Sequence, residues 1–159
     1  MFGSNNLEVL FVITAFLFQI ILIAHFALRR WRFELAMRYG PIVYAFSIPA
    51  AVISVALALG GEAWAFWLGG FIYLVWAAYG YTVEYLQKIE WRNSIRWPIL
   101  VPYVCLYLAT VMLYWWPLAL IFKPLWYVYA VLFMISTILN LVSHKQKRSY
   151  RAELPYGCT

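Results

Sequence analysis

The chain has 159 residues, of which 66% are hydrophobic and only 11% charged, where a soluble domain carries about 25% charged residues. That composition excludes an ordinary soluble globular fold, and the length limits the chain to one domain. The formal charge of +6 does not point to nucleic acid, because the basic residues flank apolar runs and form no stripe on a soluble surface.

Eleven of the twelve Lys and Arg residues fall in three short segments. The first holds Arg29, Arg30, Arg32 and Arg38. The second holds Lys88, Arg92 and Arg96, and the third Lys145, Lys147, Arg148 and Arg151. Only Lys123 lies elsewhere. Positive charge in alternate connections is the positive-inside pattern of a multi-pass membrane protein. The basic segments would face anionic headgroups, each residue gaining about 1 kcal/mol near the surface.

In chain order, five spans are expected. Leu7 to Leu28 is the first, long enough to cross about 30 Å of hydrocarbon. It lacks a preceding basic region and a small-residue cleavage site, so it reads as a retained span. Pro41 to Leu59 is the second, with Pro41 in the favoured first turn and Gly60-Gly61 at its end. Ala63 to Leu86 is the third, its helix carried on by an i,i+4 pair between Glu84 and Lys88. Pro98 to Trp116 is the fourth. Pro117 to Lys123 reads as an interfacial connection, and Pro124 to Ser143 is the fifth span.

An odd number of spans puts the termini on opposite sides. The N-terminus, without Lys or Arg, faces out, and the basic tail faces the cytoplasm. Trp64, Trp67, Trp115, Trp116 and Trp126 then mark the outer boundary, and Trp31, Trp91 and Trp97 the inner one. The expected fold is an all-α, five-helix transmembrane domain over residues 1–144 with a basic cytoplasmic tail over 145–159. Its expected location is the cytoplasmic (inner) membrane of a prokaryote. Cys105, in an apolar run, and Cys158, in the tail, are too unlike in setting to suggest a disulfide or a metal site.

Membrane helices meet through small residues, hydroxyls and amides, and four spans carry such a stripe at helical spacing. The second span has Tyr44, Ser47, Ala51, Ser54 and Ala58. The third has Tyr73, Ala77, Gly80 and Glu84. The fourth has Tyr103, Tyr107, Thr110 and Tyr114, and the fifth Tyr129, Phe133, Ser136, Asn140 and His144. The first span is weaker, with Thr14 and His25 on one face and Gln19 on another. Gln19 is the deepest polar residue and reads as an interhelical hydrogen bond. These stripes serve either helix packing or a polar-lined cavity.

His25, Glu84, Asn140 and His144 all fall in the cytoplasmic half at similar depth. With Tyr81, Tyr103 and Tyr107 they form the candidate ligand-contacting set. The two histidines and one carboxylate lie on three helices without a diagnostic spacing for a metal or for acid–base catalysis. Haem or chlorin ligation by His25 or His144 is chemically open. The chain has no HExxH, no Gly-rich phosphate loop and no paired membrane carboxylates. It has no Asp at all, which removes the aspartate-based metal–diphosphate sites of prenyl and phospholipid transferases. No catalytic residue and no metal ligand is therefore assigned.

Five spans, this length and nine Trp residues resemble the tryptophan-rich sensory protein/translocator family. The stretch Thr110 to Asn140, ending Ser136-Thr137-Ile138-Leu139-Asn140, is loosely similar in texture. The resemblance covers about a quarter of the chain and implies a bundle that binds porphyrins or sterols. The family's Trp- and Pro-rich signature between its first two spans is replaced here by Arg29-Arg30-Trp31-Arg32-Phe33-Glu34, and no site residue is carried over.

Three functions stay open. The first is a non-catalytic accessory or structural subunit of a larger membrane assembly, partnered by other membrane subunits or by itself. The second is a bundle binding an apolar planar or isoprenoid molecule such as a porphyrin, carotenoid, quinone or sterol. The third is a small membrane enzyme using His25, Glu84 and His144.

Overall fold

The computed structural model of the protein describes residues 6–87 and 96–152, with Phe33 and residues 143–152 as backbone only. The expectations placed on Lys88, Trp91, Arg92 and Cys158 lie outside the described residues. Among the described residues six α-helices follow one another: α1 (Asn6–Trp31), α2 (Phe33–Ala45), α3 (Ser47–Leu59), α4 (Trp64–Tyr81), α5 (Trp97–Ile121) and α6 (Lys123–Ala152), with a π-helical turn at Thr82–Leu86 after α4. No strand occurs among the described residues. Five stretches are long and apolar enough to cross a membrane: Asn6–Trp31, Glu34–Leu59, Trp64–Leu86, Trp97–Ile121 and Lys123–Val142. The shortest has 20 residues, about 30 Å at about 1.5 Å per residue.

The helices run longer than the punctuation in the sequence suggests, and three boundaries are corrected. The second span does not begin at Pro41. Its helix starts at Phe33, directly after α1, with Arg32 alone between them. Pro41 sits inside α2 and leaves the carbonyl of Met37 without its i+4 amide. That carbonyl accepts a long hydrogen bond from Tyr85 Oη at 3.5 Å. The same span is broken at Phe46, because Pro49 cannot donate to the Ala45 carbonyl. Ser47 Oγ donates to the Tyr44 carbonyl at 2.6 Å, and Tyr73 Oη donates to the Val43 carbonyl, so side chains cover the backbone around the break.

The third correction concerns Trp115-Trp116-Pro117, which does not end the fourth span. Pro117 is buried inside α5, and the helix continues to Ile121. The Leu113 carbonyl that Pro117 leaves unpaired faces Gly69 of α4, where a Cβ would stand 3.5 Å from it. α6 likewise continues nine residues beyond Ser143, to Ala152, so the basic segment Lys145 to Arg151 extends the helix.

Residues equidistant from a turn end up side by side, and this sets the whole bundle. Around Arg32, His25 meets Gly40. Around Glu62, which follows Gly61 with its φ of +77°, Ser54 meets Gly70 and Tyr44 meets Gly80. Across the turn at Phe122, though at unequal distances from it, Trp115 stacks on Trp126 with ring centroids 4.8 Å apart. α4 packs between α3 and α5, and α1 packs on α2 and α6. The core is aromatic: Phe11, Phe18, Tyr73, Trp76, Tyr114 and Tyr129 are almost wholly buried.

The stripes read from sequence are the buried ones on α4 (Tyr73, Ala77, Gly80) and on α5 (Tyr107, Thr110, Tyr114). On α3 the buried face is Ser47, Ala50, Ser54 and Leu57, whereas Ala51 is half-buried and Ala58 exposed. On α1, Thr14 and Gln19 belong to one broad buried face with Ala15, Phe18 and Leu22, not to two faces. Gln19 Nε2 donates to Ser136 Oγ at 2.8 Å, the interhelical bond that its depth suggests.

Candidate functional site

The hairpin register brings the C-terminal end of α1, the start of α2, the π turn after α4 and the start of α5 to one end of the bundle. This is also the end that carries Arg29, Arg30, Arg38 and Arg96. There the deepest-reaching polar contact is between Tyr44 and Glu84. Tyr44 Oη donates to Glu84 Oε2 at 2.8 Å and lies 3.5 Å from Tyr103 Oη. Tyr44 is buried, while Glu84, Tyr85 and Tyr103 are half-buried.

The contact depends on two local features. Gly80 has no side chain to hold the two phenols away. A Cβ there would stand 2.7 Å from Tyr44 Cε1 and 3.0 Å from Tyr103 Cε2. The π-helical turn then takes up an extra residue per turn over Thr82–Leu86, which rotates Glu84 out of the α-helical register. Such bulges recur at functional sites. An i,i+4 pairing of Glu84 with Lys88 presumes the α register, and Lys88 itself lies outside the described residues.

Aromatic rings enclose the group. Trp76 lies 5.7 Å from Tyr44 and 5.4 Å from Tyr103 by ring centroids. Tyr81 stacks on Tyr85 at 5.3 Å with planes 20° apart, and Tyr85 approaches Tyr44 at 6.0 Å. Tyr81 itself is exposed and lies 6.4 Å from Tyr44, at the edge of the group. His25 and Tyr85 both rest on Gly40, where a Cβ would stand 3.4 Å from His25 Cε1 and closer still to Tyr85 Oη. Arg29, one turn after His25, is near enough for its charge to act on His25, Glu84, Tyr85 and Tyr103.

The structure thus brings together His25, Glu84, Tyr81 and Tyr103 of the candidate set. The remaining three lie on α5 and α6. Tyr107 stands one turn deeper than Tyr103, against Trp76 at 5.7 Å. Asn140 is half-buried on α6, which packs on α1 and α5, whereas the Tyr44–Glu84–Tyr103 group is built from α2, the π turn and α5. The backbone of His144 lies on α6, and its side chain is outside the description. Tyr44, Tyr85, Arg29 and the two glycines are the members that the sequence did not single out as a site.

Chemically, the arrangement offers one carboxylate, four phenols, a guanidinium and an imidazole at one end of an aromatic core. It can bind a polar head while rings hold a planar or apolar body. Among the described residues, no group of three or more His, Cys, Asp or Glu lies together, and Cys105 is exposed and free. No family model, curated protein or solved structure matches the chain. The likeness to tryptophan-rich sensory proteins therefore rests on the residues quoted for it alone.

Proposed function

We propose that the protein is a non-catalytic accessory subunit of a larger membrane assembly, inserted in the cytoplasmic membrane by five spans with its N-terminus outside. The observation that carries this reading is the poor cover of α6. Only 11% of its most apolar stretch is buried, against 33–44% for the other four spans. Tyr127, Val131, Met134, Ile138 and Leu141 are all exposed. Their spacing of four and three residues makes an unbroken heptad stripe, the geometry that a neighbouring helix would mesh with. The occupant proposed is a helix of another subunit.

The orientation follows from the single basic end of the bundle, which positive-inside bias assigns to the cytoplasm. At the opposite end Trp64 meets Trp116 at 5.6 Å and Trp115 stacks on Trp126. Indole rings clustered there suit the outer headgroup boundary. A photo-crosslinking residue at Val131, Met134 or Ile138, tested in native membranes, should give a discrete protein adduct. The same probe at Val52 or Val55, exposed on α3, should give only lipid adducts. Equal behaviour at the two helices would remove the reading.

A second reading is supported by the Tyr44–Glu84–Tyr103 group. Its rings and single carboxylate suit a porphyrin, carotenoid, quinone or sterol with a polar end near Arg29. A stoichiometric pigment or lipid in the gently extracted protein, lost on combining Tyr103→Phe with Glu84→Gln, would favour it. Unchanged retention in that variant would count against these residues.

A further inference from the structure

The interior of the bundle carries a second polar region, deeper than the Tyr44–Glu84 group. Tyr107 and Tyr114 stand two turns apart on one face of α5, about 10 Å at about 1.5 Å per residue. Equidistance from Phe122 puts Tyr114 opposite Tyr129 and Tyr107 opposite Ser136 of α6. Gln19 of α1 reaches the same place, donating to Ser136 Oγ. Ser136 in turn donates to the Phe133 carbonyl at 2.9 Å. Its hydroxyl proton is thus committed, and one of its lone pairs is taken by Gln19.

Four polar atoms in this region are buried and make no hydrogen bond within the described residues: Gln19 Oε1, Trp76 Nε1 and the hydroxyls of Tyr114 and Tyr129; the Tyr107 hydroxyl beside them has only Ser136 within reach. Their side chains are among the most enclosed in the molecule. Gln19 and Tyr129 show no exposure, Tyr114 1% and Trp76 2%. Each such atom, left bare in an apolar interior, costs about 1–3 kcal/mol. Four together would offset much of a domain's usual stability of about 5–15 kcal/mol. A sequence that retains four of them between the same helices has partners for them.

We propose that this region between α1, α4, α5 and α6 is a hydration site, holding ordered water as a structural ligand. Buried water typically makes about three hydrogen bonds to such groups. The set contains what water needs: an indole N–H donor, an amide acceptor, and three phenols that both donate and accept. It divides into two stations. Trp76, Tyr107 and Gln19 form the lower one, joined by the 5.7 Å contact of Trp76 with Tyr107 and by Ser136. Tyr114 and Tyr129 form the upper one. Phe11, Phe18 and Val111 pack in the core around these groups, and a set of separate single donors and acceptors is matched by water, which offers both at one atom.

The test uses the full-length protein in lipid nanodiscs, with its tyrosine ring carbons labelled. Magnetisation is transferred from water protons in solid-state NMR, and the variants Tyr107→Phe, Tyr114→Phe and Tyr129→Phe assign the signals. Transfer to the Cζ carbons of Tyr107 and Tyr114 should build up several times faster than to the ring of Phe18, labelled in parallel. Resistance to denaturing detergent should fall in each Phe variant, and the double variant Tyr114→Phe/Tyr129→Phe should lose less than the sum. Build-up no faster than at Phe18 would overturn the proposal, whatever the stabilities. Phe variants that are more stable than the parent would overturn it too, because they would show bare hydroxyls.

Discussion

Gly80→Ala tests the packing that holds Tyr44 against Glu84. The added methyl would stand 2.7 Å from Tyr44 Cε1 and 3.0 Å from both Tyr44 Oη and Tyr103 Cε2. Both rings must move, and Trp76 behind them, itself 2% exposed, leaves little space. Overpacking of this kind costs about 2 kcal/mol. Displacing Tyr44 also loses its hydrogen bond to Glu84, at about 1 kcal/mol. Alanine regains about 1 kcal/mol of helix propensity over glycine. The expected net loss is therefore about 2 kcal/mol. It can be read from dodecyl sulfate titrations of the protein in mild detergent, followed by tryptophan fluorescence. In a Tyr44→Ala background, where the ring is gone, the same change should be neutral or stabilising. A Gly80→Ala protein as stable as its parent would show that the close approach of α2, α4 and α5 at this point is wrong.

The remaining predictions use the same titration. Gly70→Ala should destabilise by about 1–3 kcal/mol, because its Cβ would come within 2.7 Å of the Ala50 carbonyl oxygen. Gly69→Ala, whose Cβ meets Leu113 at an ordinary 3.4 Å, should instead gain up to about 1 kcal/mol, and reversal of this order would count against the α3–α4 register. Gln19→Leu should cost about 0.6–1.7 kcal/mol, the range seen for hydrogen bonds between membrane helices, and a gain in stability would contradict the Gln19–Ser136 bond. Trp76→Ala should be the most damaging single change at about 3–5 kcal/mol, since its ring touches Phe18, Tyr44, Tyr73, Tyr103 and Tyr107.

Five apolar helices were legible in the sequence because nothing but hydrophobic run length was needed to find them. The buried stripes on α4 and α5 were legible for a related reason: small and hydroxyl-bearing residues recur there at helical spacing. The boundaries were misread where proline was taken as punctuation. Pro41 and Pro117 each remove one backbone hydrogen bond; Tyr85 reaches the freed Met37 carbonyl, and the freed Leu113 carbonyl faces Gly69 of α4. Those contacts are tertiary, so no local rule reveals them. The π turn is similarly silent, because Thr82 to Leu86 carries no glycine or proline.

The site was half legible. Depth relative to the basic segments put His25 and Glu84 at one level, and the hairpin register does bring both to one end of the bundle. The same depth argument grouped Asn140 and His144 with them; both lie on α6, which packs on α1 and α5. Tyr44 and Tyr103 could have been paired with Gly80 by counting equal distances from the Gly60-Gly61 turn and from the connection after the π turn. Arg29 was assigned to a loop, whereas α1 runs on to Trp31 and keeps it beside the cluster.

Membership of a larger assembly is the central claim, and the mass of the protein in its own membrane tests it most directly. Gentle extraction at native expression levels, followed by native mass spectrometry, should yield a discrete complex in which this chain is one of at least two different polypeptides. A lone monomer carrying only lipid would contradict the claim.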